Sequence, residues 1–161
     1  MPPLQHEIGK KRPFDEPTQE LFLAIMRTAA VLEADGAQLF RDAELSGATY
    51  NVLRILRGAG ADGMPTLEIG TRMIERTPGV TRLIDRMEKK ALVTRQRDRG
   101  DRRQVICRIT ERGLALLKKL DKPIDGLEDA AMAALSDAEV EALLPLLNKV
   151  RLQLTRGRAR G

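Results

Sequence analysis

This sequence predicts a mainly α protein with one small β-hairpin, and three observations carry that expectation. Apolar residues recur at three- and four-residue spacing along much of the chain. Two-residue alternation marks two short runs, 93–97 and 105–109. Positive charge is gathered around those runs. From Arg72 to Arg112 there are thirteen Lys and Arg against six Asp and Glu, whereas the rest has fifteen against seventeen. At 161 residues the length allows one domain, or one with an extension.

Residues 1–16 (MPPLQHEIGKKRPFDE) are polar, hold Pro2, Pro3 and Pro13, and are expected to form an irregular N-terminal arm. A first long helix opens near Pro17–Thr18. Its stripe is Leu21, Phe22, Ile25, Met26, Ala29, Leu32, Leu39 and Phe40, and it ends before Leu45. Ser46 is the expected N-cap of a second helix carrying Tyr50, Val52, Leu53, Ile55 and Leu56. Gly58, Gly60 and Gly63 then make a turn, and Met64–Pro65 fits a short extended piece. Thr66 is expected to cap a third helix, from Leu67 to about Ile74, with Glu68 suited to the dipole of its first turn. Thr77 is expected to cap a fourth, with Pro78 at the first helical position, where its missing N–H costs nothing. Two short helices joined by Glu75–Arg76–Thr77 make a helix-turn-helix.

The fourth helix places Val80, Leu83, Ile84, Met87 and Ala91 on one face and Thr81, Arg82, Asp85, Arg86 and Lys89 on the other. A polar helix face is by itself only solvated surface; its neighbours give this one meaning. Beyond Leu92 the two alternating runs enclose Asp98–Arg99–Gly100–Asp101–Arg102–Arg103, a turn composition rich in Asp and Gly. Arginines crowded at a hairpin tip repel one another unless an anion sits between them. In the second run Val105, Cys107 and Ile109 share the apolar side, so Cys107 reads as a small buried hydrophobe rather than a redox sensor. Thr110 caps a fifth helix with a stripe of Leu114, Leu117, Leu120, Ile124, Leu127 and Ala131, and Pro123 is expected to kink or break it. Ser136–Asp137–Ala138–Glu139 is a capping box opening a sixth, whose seam is Val140, Leu143, Leu144, Leu147, Val150 and Leu154, bent at Pro145.

The fold class is therefore a winged helix-turn-helix (46–110) flanked by N- and C-terminal dimerisation helices. Segments 17–45 and 111–155 would pair two copies, and 156–161 is a basic tail. The flanking stripes exceed what one small winged unit can cover. Two-fold pairing would set two reading helices about 34 Å apart, one turn of duplex.

The totals exclude several functions. One cysteine and one histidine allow no intrachain disulfide and no multi-ligand Cys/His metal site. No nucleophile–base pair or phosphate loop is evident, so no catalytic residue, cofactor or metal is expected. The aromatics are Phe14, Phe22, Phe40 and Tyr50 alone, too few for stacking on single strands. No apolar run resembles a secretory signal or a membrane span, so the expected location is the cytoplasm. A local basic field beside a reading helix implies a nucleic-acid partner. The competing reading is a winged-helix interaction module whose arginines meet an acidic protein.

In this order and register the chain resembles the MarR family of transcriptional regulators, over about residues 18–155. Asp101–Arg102–Arg103 followed by Ile109–Thr110–Glu111–Arg112–Gly113 is similar to the family's wing signature, Asp-x-Arg, a hydrophobic strand, then Leu-Thr-x-x-Gly. Val80–Glu88 resembles its recognition helix, and Ala91–Leu92–Val93 its Gly-Leu-Val exit, with Ala in place of Gly. Ser46, Tyr50–Asn51–Val52–Leu53 and Ile55–Leu56 match the start of its second helix.

The resemblance implies a homodimer on pseudo-palindromic double-stranded DNA, usually a repressor. It implies that Thr81, Arg82 and Arg86 meet base edges and phosphates in the major groove. Thr77 and the N-terminus of that helix would hold a phosphate. Arg103 would enter the minor groove with Asp101 orienting it, while Arg99 and Arg102 would contact phosphates. It further implies release by a small aromatic or anionic effector, with Phe22, Met26, Tyr50 and Arg54 as pocket candidates. Some members use a reactive cysteine near the first helix, where this chain has none.

Overall fold

The computed structural model describes residues 4–75, 79–98, 100, 101 and 103–158, the last two as backbone only. The helices are α1 (Leu4–Glu7), α2 (Pro17–Asp42), α3 (Gly47–Ala59), α4 (Thr66–Arg72), α5 (Val80–Lys89), α6 (Glu111–Met132) and α7 (Asp137–Arg158). The strands β1 (Met64–Pro65), β2 (Val93–Arg97) and β3 (Val105–Ile109) form one antiparallel sheet in the order β1-β3-β2. Contacts divide the chain into two units, residues 1–124 and 125–161.

The first unit is built on a core to which most of its elements contribute. Val52, Leu53 and Leu56 of α3, Ile69 of α4, Ile84 and Met87 of α5, Val93 of β2, Cys107 of β3 and Leu117 of α6 are almost wholly buried. Each such side chain contributes about 1.5–3 kcal/mol when removed from water. Ser46 caps α3 as expected, its Oγ accepting from the Thr49 N–H at 3.2 Å. The helix ends at Ala59, followed by a 3-10 turn over Gly60–Asp62 and by Gly63 at a φ of +71°. A Cβ on Gly63 would lie 2.4 Å from the Cys107 carbonyl, so only glycine lets this turn sit so close to β3. The sheet register then pairs Met64 with Cys107, and Val93 with Ile109.

Two helix ends share one geometry. At the end of α2, the Leu45 N–H donates to the Phe40 carbonyl at 2.8 Å and the Glu44 N–H to Arg41 at 2.9 Å. At the end of α5, the Leu92 N–H donates to Met87 at 2.9 Å and the Ala91 N–H to Glu88 at 2.8 Å. Both are Schellman ends, and the residues at their left-handed positions are Glu44 (φ +54°) and Ala91 (φ +55°), not glycine.

Several sequence expectations need correction. The arm is not wholly irregular: α1 is one helical turn, Glu7 meets Arg27 at 3.4 Å, and Lys10 donates to the carbonyls of Arg12 and Pro13. Thr66 does not cap α4. It is the first helical residue, and its hydroxyl donates to the Val105 carbonyl at 3.2 Å and lies 3.2 Å from the Cys107 thiol. That helix stops at Arg72, two residues early, because Met73 turns extended and the Ile74 N–H is taken by Asn51 Oδ1 at 2.9 Å. Pro123 does not break α6; buried Leu117, Leu120 and Ile124 pack on both sides of it and outweigh one lost hydrogen bond. The boundary at 156 is not structural either, since α7 runs to Arg158.

In the second unit, α7 opens with the expected capping box. The Ser136 N–H donates to Glu139 Oε2 at 2.8 Å, and the Glu139 N–H reaches Ser136 Oγ at 3.4 Å. The Ser136 N–H and hydroxyl together hold the Glu139 carboxyl below its ordinary pKa. Leu143, Leu144, Leu146, Val150, Leu152 and Leu154 are all exposed along α7. In the first unit Leu21, Phe22, Met26, Val31 and Leu32 are exposed along α2. Among the described residues no helix is long and apolar enough to cross a membrane.

Candidate nucleic-acid interface

The reading element is α5. Its sequence buries Leu83, Ile84 and Met87 and leaves Thr81, Arg82, Arg86 and Lys89 exposed on the opposite arc. The helix spans Val80–Lys89 and follows Gly79, which is in a left-handed conformation with no side-chain cap; the expected first position, Pro78, lies outside the described residues. Thr77, Arg99 and Arg102 lie outside the described residues.

The hairpin β2–β3 stands beside α5, and its tip is shaped by two aspartates. Asp98 Oδ1 accepts from the N–H groups of Gly100 and Asp101, both at 2.7 Å, which turns the chain. Asp101 Oδ1 accepts from the Arg103 N–H at 3.1 Å and from Arg103 Nε at 3.3 Å. Asp101 Oδ2 accepts from Gln104 Nε2 at 3.3 Å. The Arg103 N–H, then the Gln104 amide and the Arg103 guanidinium, hold the Asp101 carboxyl below its ordinary pKa. The Arg103 side chain is 92% exposed, so one edge is aimed by Asp101 and the rest faces outward. Arg108, on β3, is instead committed inward, its Nε donating to the Ala61 carbonyl at 2.9 Å.

The wing root is fixed by the Thr-x-x-Gly segment. Thr110 Oγ1 donates to the Ala91 carbonyl at 2.8 Å and accepts from the Gly113 N–H at 3.1 Å. The Thr110 N–H donates to Leu92 at 3.1 Å. One residue thus caps α6 and ties it to the exit of α5. A Cβ on Gly113 would stand 2.5 Å from the Leu92 carbonyl, which explains the glycine.

Sequence reasoning missed Arg95. This β2 residue donates from Nη1 to Asp85 at 2.5 Å, and from Nε and Nη2 to Glu88 at 2.9 and 2.6 Å. Those hydrogen bonds, Glu88's foremost, raise the guanidinium pKa. The available signal was an acidic pair three residues apart on the helix that the strand follows. Cys107 is fully buried, and desolvation raises its thiol pKa, which disfavours the reactive thiolate.

The four effector-pocket candidates separate into two pairs within one chain. Tyr50 is buried, its ring 5.1 Å from that of Phe40, and its hydroxyl accepts from Arg54 Nη1 at 3.2 Å. Phe22 and Met26 are exposed on α2. Phe22 precedes Phe40 on the same unbroken helix, so the rise per residue sets them about 27 Å apart along its axis, and Met26 about 21 Å. The sequence alone gave no way to see this, because both pairs lie on suitable helices.

A model of the MarR family matches residues 45–105. A solved MarR transcription factor from Planctomyces limnophilus is 38% identical, covering 84% of this chain and 98% of that one, with a TM-score of 0.65. The transcriptional repressor CouR, solved on a 23-mer DNA duplex, is 26% identical, covering 88% of this chain and 99% of its own, with a TM-score of 0.74. The HTH-type transcriptional regulator MhqR of Bacillus subtilis (strain 168) is 26% identical over 137 residues, 85% of this chain and 93% of that protein. The match to the Planctomyces factor spans nearly all of it, and the family model covers the winged helix-turn-helix from the start of α3 to the start of β3: this chain belongs to the MarR family of transcriptional regulators.

Proposed function

We propose that the protein is a homodimeric, sequence-specific binder of double-stranded DNA that represses transcription from a pseudo-palindromic operator in the cytoplasm. The observation that carries this is the pairing of an exposed Thr81–Arg82–Arg86 arc with a wing whose Arg103 is outward and aimed by Asp101. Arg82 and Arg86 read base edges and phosphates in the major groove, where a bidentate arginine–guanine contact discriminates by about 1–3 kcal/mol. Arg103 enters the minor groove and senses its width. Phosphate contacts from Thr77, Arg99 and Arg102 set affinity and its salt dependence. Residues 46–110 form the reading domain, and 17–45 with 111–155 the pairing region, because α2 and α7 each leave apolar side chains uncovered. The CouR relative is a repressor on duplex DNA, which supports the same direction here. Release follows from a small aromatic anion that meets the Tyr50–Arg54 pair, with Phe22 and Met26 contributed from elsewhere in a dimer.

Fluorescence anisotropy with the duplex upstream of its own gene tests this reading. Preference for that duplex over a scrambled one of equal length and composition is expected, and equal binding to both would sink sequence-specific control. Arg103→Ala should weaken binding at unchanged melting temperature. Arg82→Ala should narrow the preference by about 1–3 kcal/mol.

A further inference from the structure

We infer that Arg95 is a positioning residue for DNA reading: from β2 it forks onto Asp85 and Glu88 of α5, locking the recognition helix and the wing into one rigid reader. This rests on the reading proposed above. Three hydrogen bonds join one guanidinium to two carboxylates of α5, all between 2.5 and 2.9 Å. The Arg95 side chain is 28% exposed, against 43% for Asp85 and 38% for Glu88, so the guanidinium is the shielded end of a cluster whose carboxylates still meet water. A guanidinium is planar and can engage two carboxylates at fixed angles; an ammonium cannot.

The geometry has two consequences. The first is angular. Arg82 and Arg86 lie on α5, and Arg103 lies beyond the end of β2 in the hairpin. Placing one set in the major groove and the other in the minor groove requires a fixed angle between helix and hairpin. Leu83, Met87 and Val93 belong to one buried core that holds helix and strand together, but apolar burial is not itself directional. Directional bonds to residues three apart on α5 resist both rotation and sliding. The second consequence is electrostatic. Asp85 and Glu88 would repel phosphate if they were free, and Arg95 draws both toward the strand.

The full-length chain with Arg95→Met tests this, using anisotropy on its own and a scrambled duplex, thermal melting, and hydrogen exchange without DNA. The expected result is faster exchange in α5 and β2 at an unchanged melting temperature. The preference should fall by about tenfold, the low end of what one base contact discriminates. The triple variant Asp85→Asn/Glu88→Gln/Arg95→Met removes all three charges and should keep the same reduced preference. Recovery of wild-type preference in it would show that charge compensation alone matters, and would overturn the positioning role. Arg95→Lys keeps the charge without the fork, guards against loss of folding in the methionine variant, and should give intermediate preference; full preference would overturn the fork. If the wild-type chain shows no preference for its own duplex, the DNA reading fails. The clamp is then judged by exchange alone, where unchanged protection in Arg95→Met overturns it.

Discussion

Ala91 holds a backbone φ of +55°, a conformation that costs an L-residue roughly 1–2 kcal/mol and glycine almost nothing. It does so because its N–H and that of Leu92 close the end of α5, and its carbonyl receives the Thr110 hydroxyl. Ala91→Gly should therefore stabilise the chain by about 1 kcal/mol, the smaller unfolded-state entropy of alanine offsetting part of the gain. The denaturant midpoint at constant m-value measures this; a lower midpoint would contradict the account of strain. Gly113 is the opposite case. Gly113→Ala puts a methyl against the Leu92 carbonyl and the Ile109 side chain, and should destabilise by about 1–3 kcal/mol or more. If Gly113→Ala melts like wild type, the helix and the wing root are not in the tight contact described. The sequence showed that alanine replaces the family's glycine at 91. It could not show that the left-handed turn persists, since that depends on Thr110, nineteen residues away.

At the scale of elements, the periodic helices and the alternating strands were legible because burial enforces periodicity: Leu83, Ile84 and Met87 cannot face the core from any other secondary structure. Element ends were less legible. Thr66 has the chemistry of a cap but is drawn to β3 by the Val105 carbonyl, and α4 stops early because Asn51 supplies a partner from α3. Both are long-range hydrogen bonds that no local pattern encodes. The candidate site divides the same way. The exposed arc of α5 and the aspartate-shaped tip follow from local sequence, whereas Arg95 spans a helix–strand junction. The wing tip carries a pH prediction. The folded pKa of Asp101 lies below its unfolded value. Its contribution is therefore complete above the ordinary carboxylate value of about 3.9 and is lost as pH falls through the depressed one. An NMR titration should show the Arg103 amide unmoved at neutral pH and shifting only below that range. Asp101→Asn should abolish the shift, and a transition persisting in that variant would assign it to another carboxyl.

For the whole molecule, the deciding question is what covers the apolar residues that a single chain leaves in water. Leu21, Phe22 and Met26 on α2 are each more than half exposed, as are Leu144, Leu146, Leu152 and Leu154 on α7. Soluble monomers seldom present contiguous apolar patches larger than a few hundred square ångströms, and exposed apolar side chains recur on α7 from Leu143 to Leu154. In the proposed homodimer a second copy would cover such faces by two-fold symmetry and bring two α5 helices to one side of a duplex. Sedimentation equilibrium should give twice the 17.9 kDa chain mass. Leu144→Glu/Leu154→Glu should shift it toward one chain with little loss of helix signal in circular dichroism, because neither residue belongs to the first unit's core. Each monomer then engages one half-site without its linked partner, so affinity for the full operator should fall by about 10²-fold or more. A variant that stays dimeric would move the interface off α7. One that becomes monomeric yet binds the operator with full affinity would separate pairing from DNA reading and leave each winged unit to act alone.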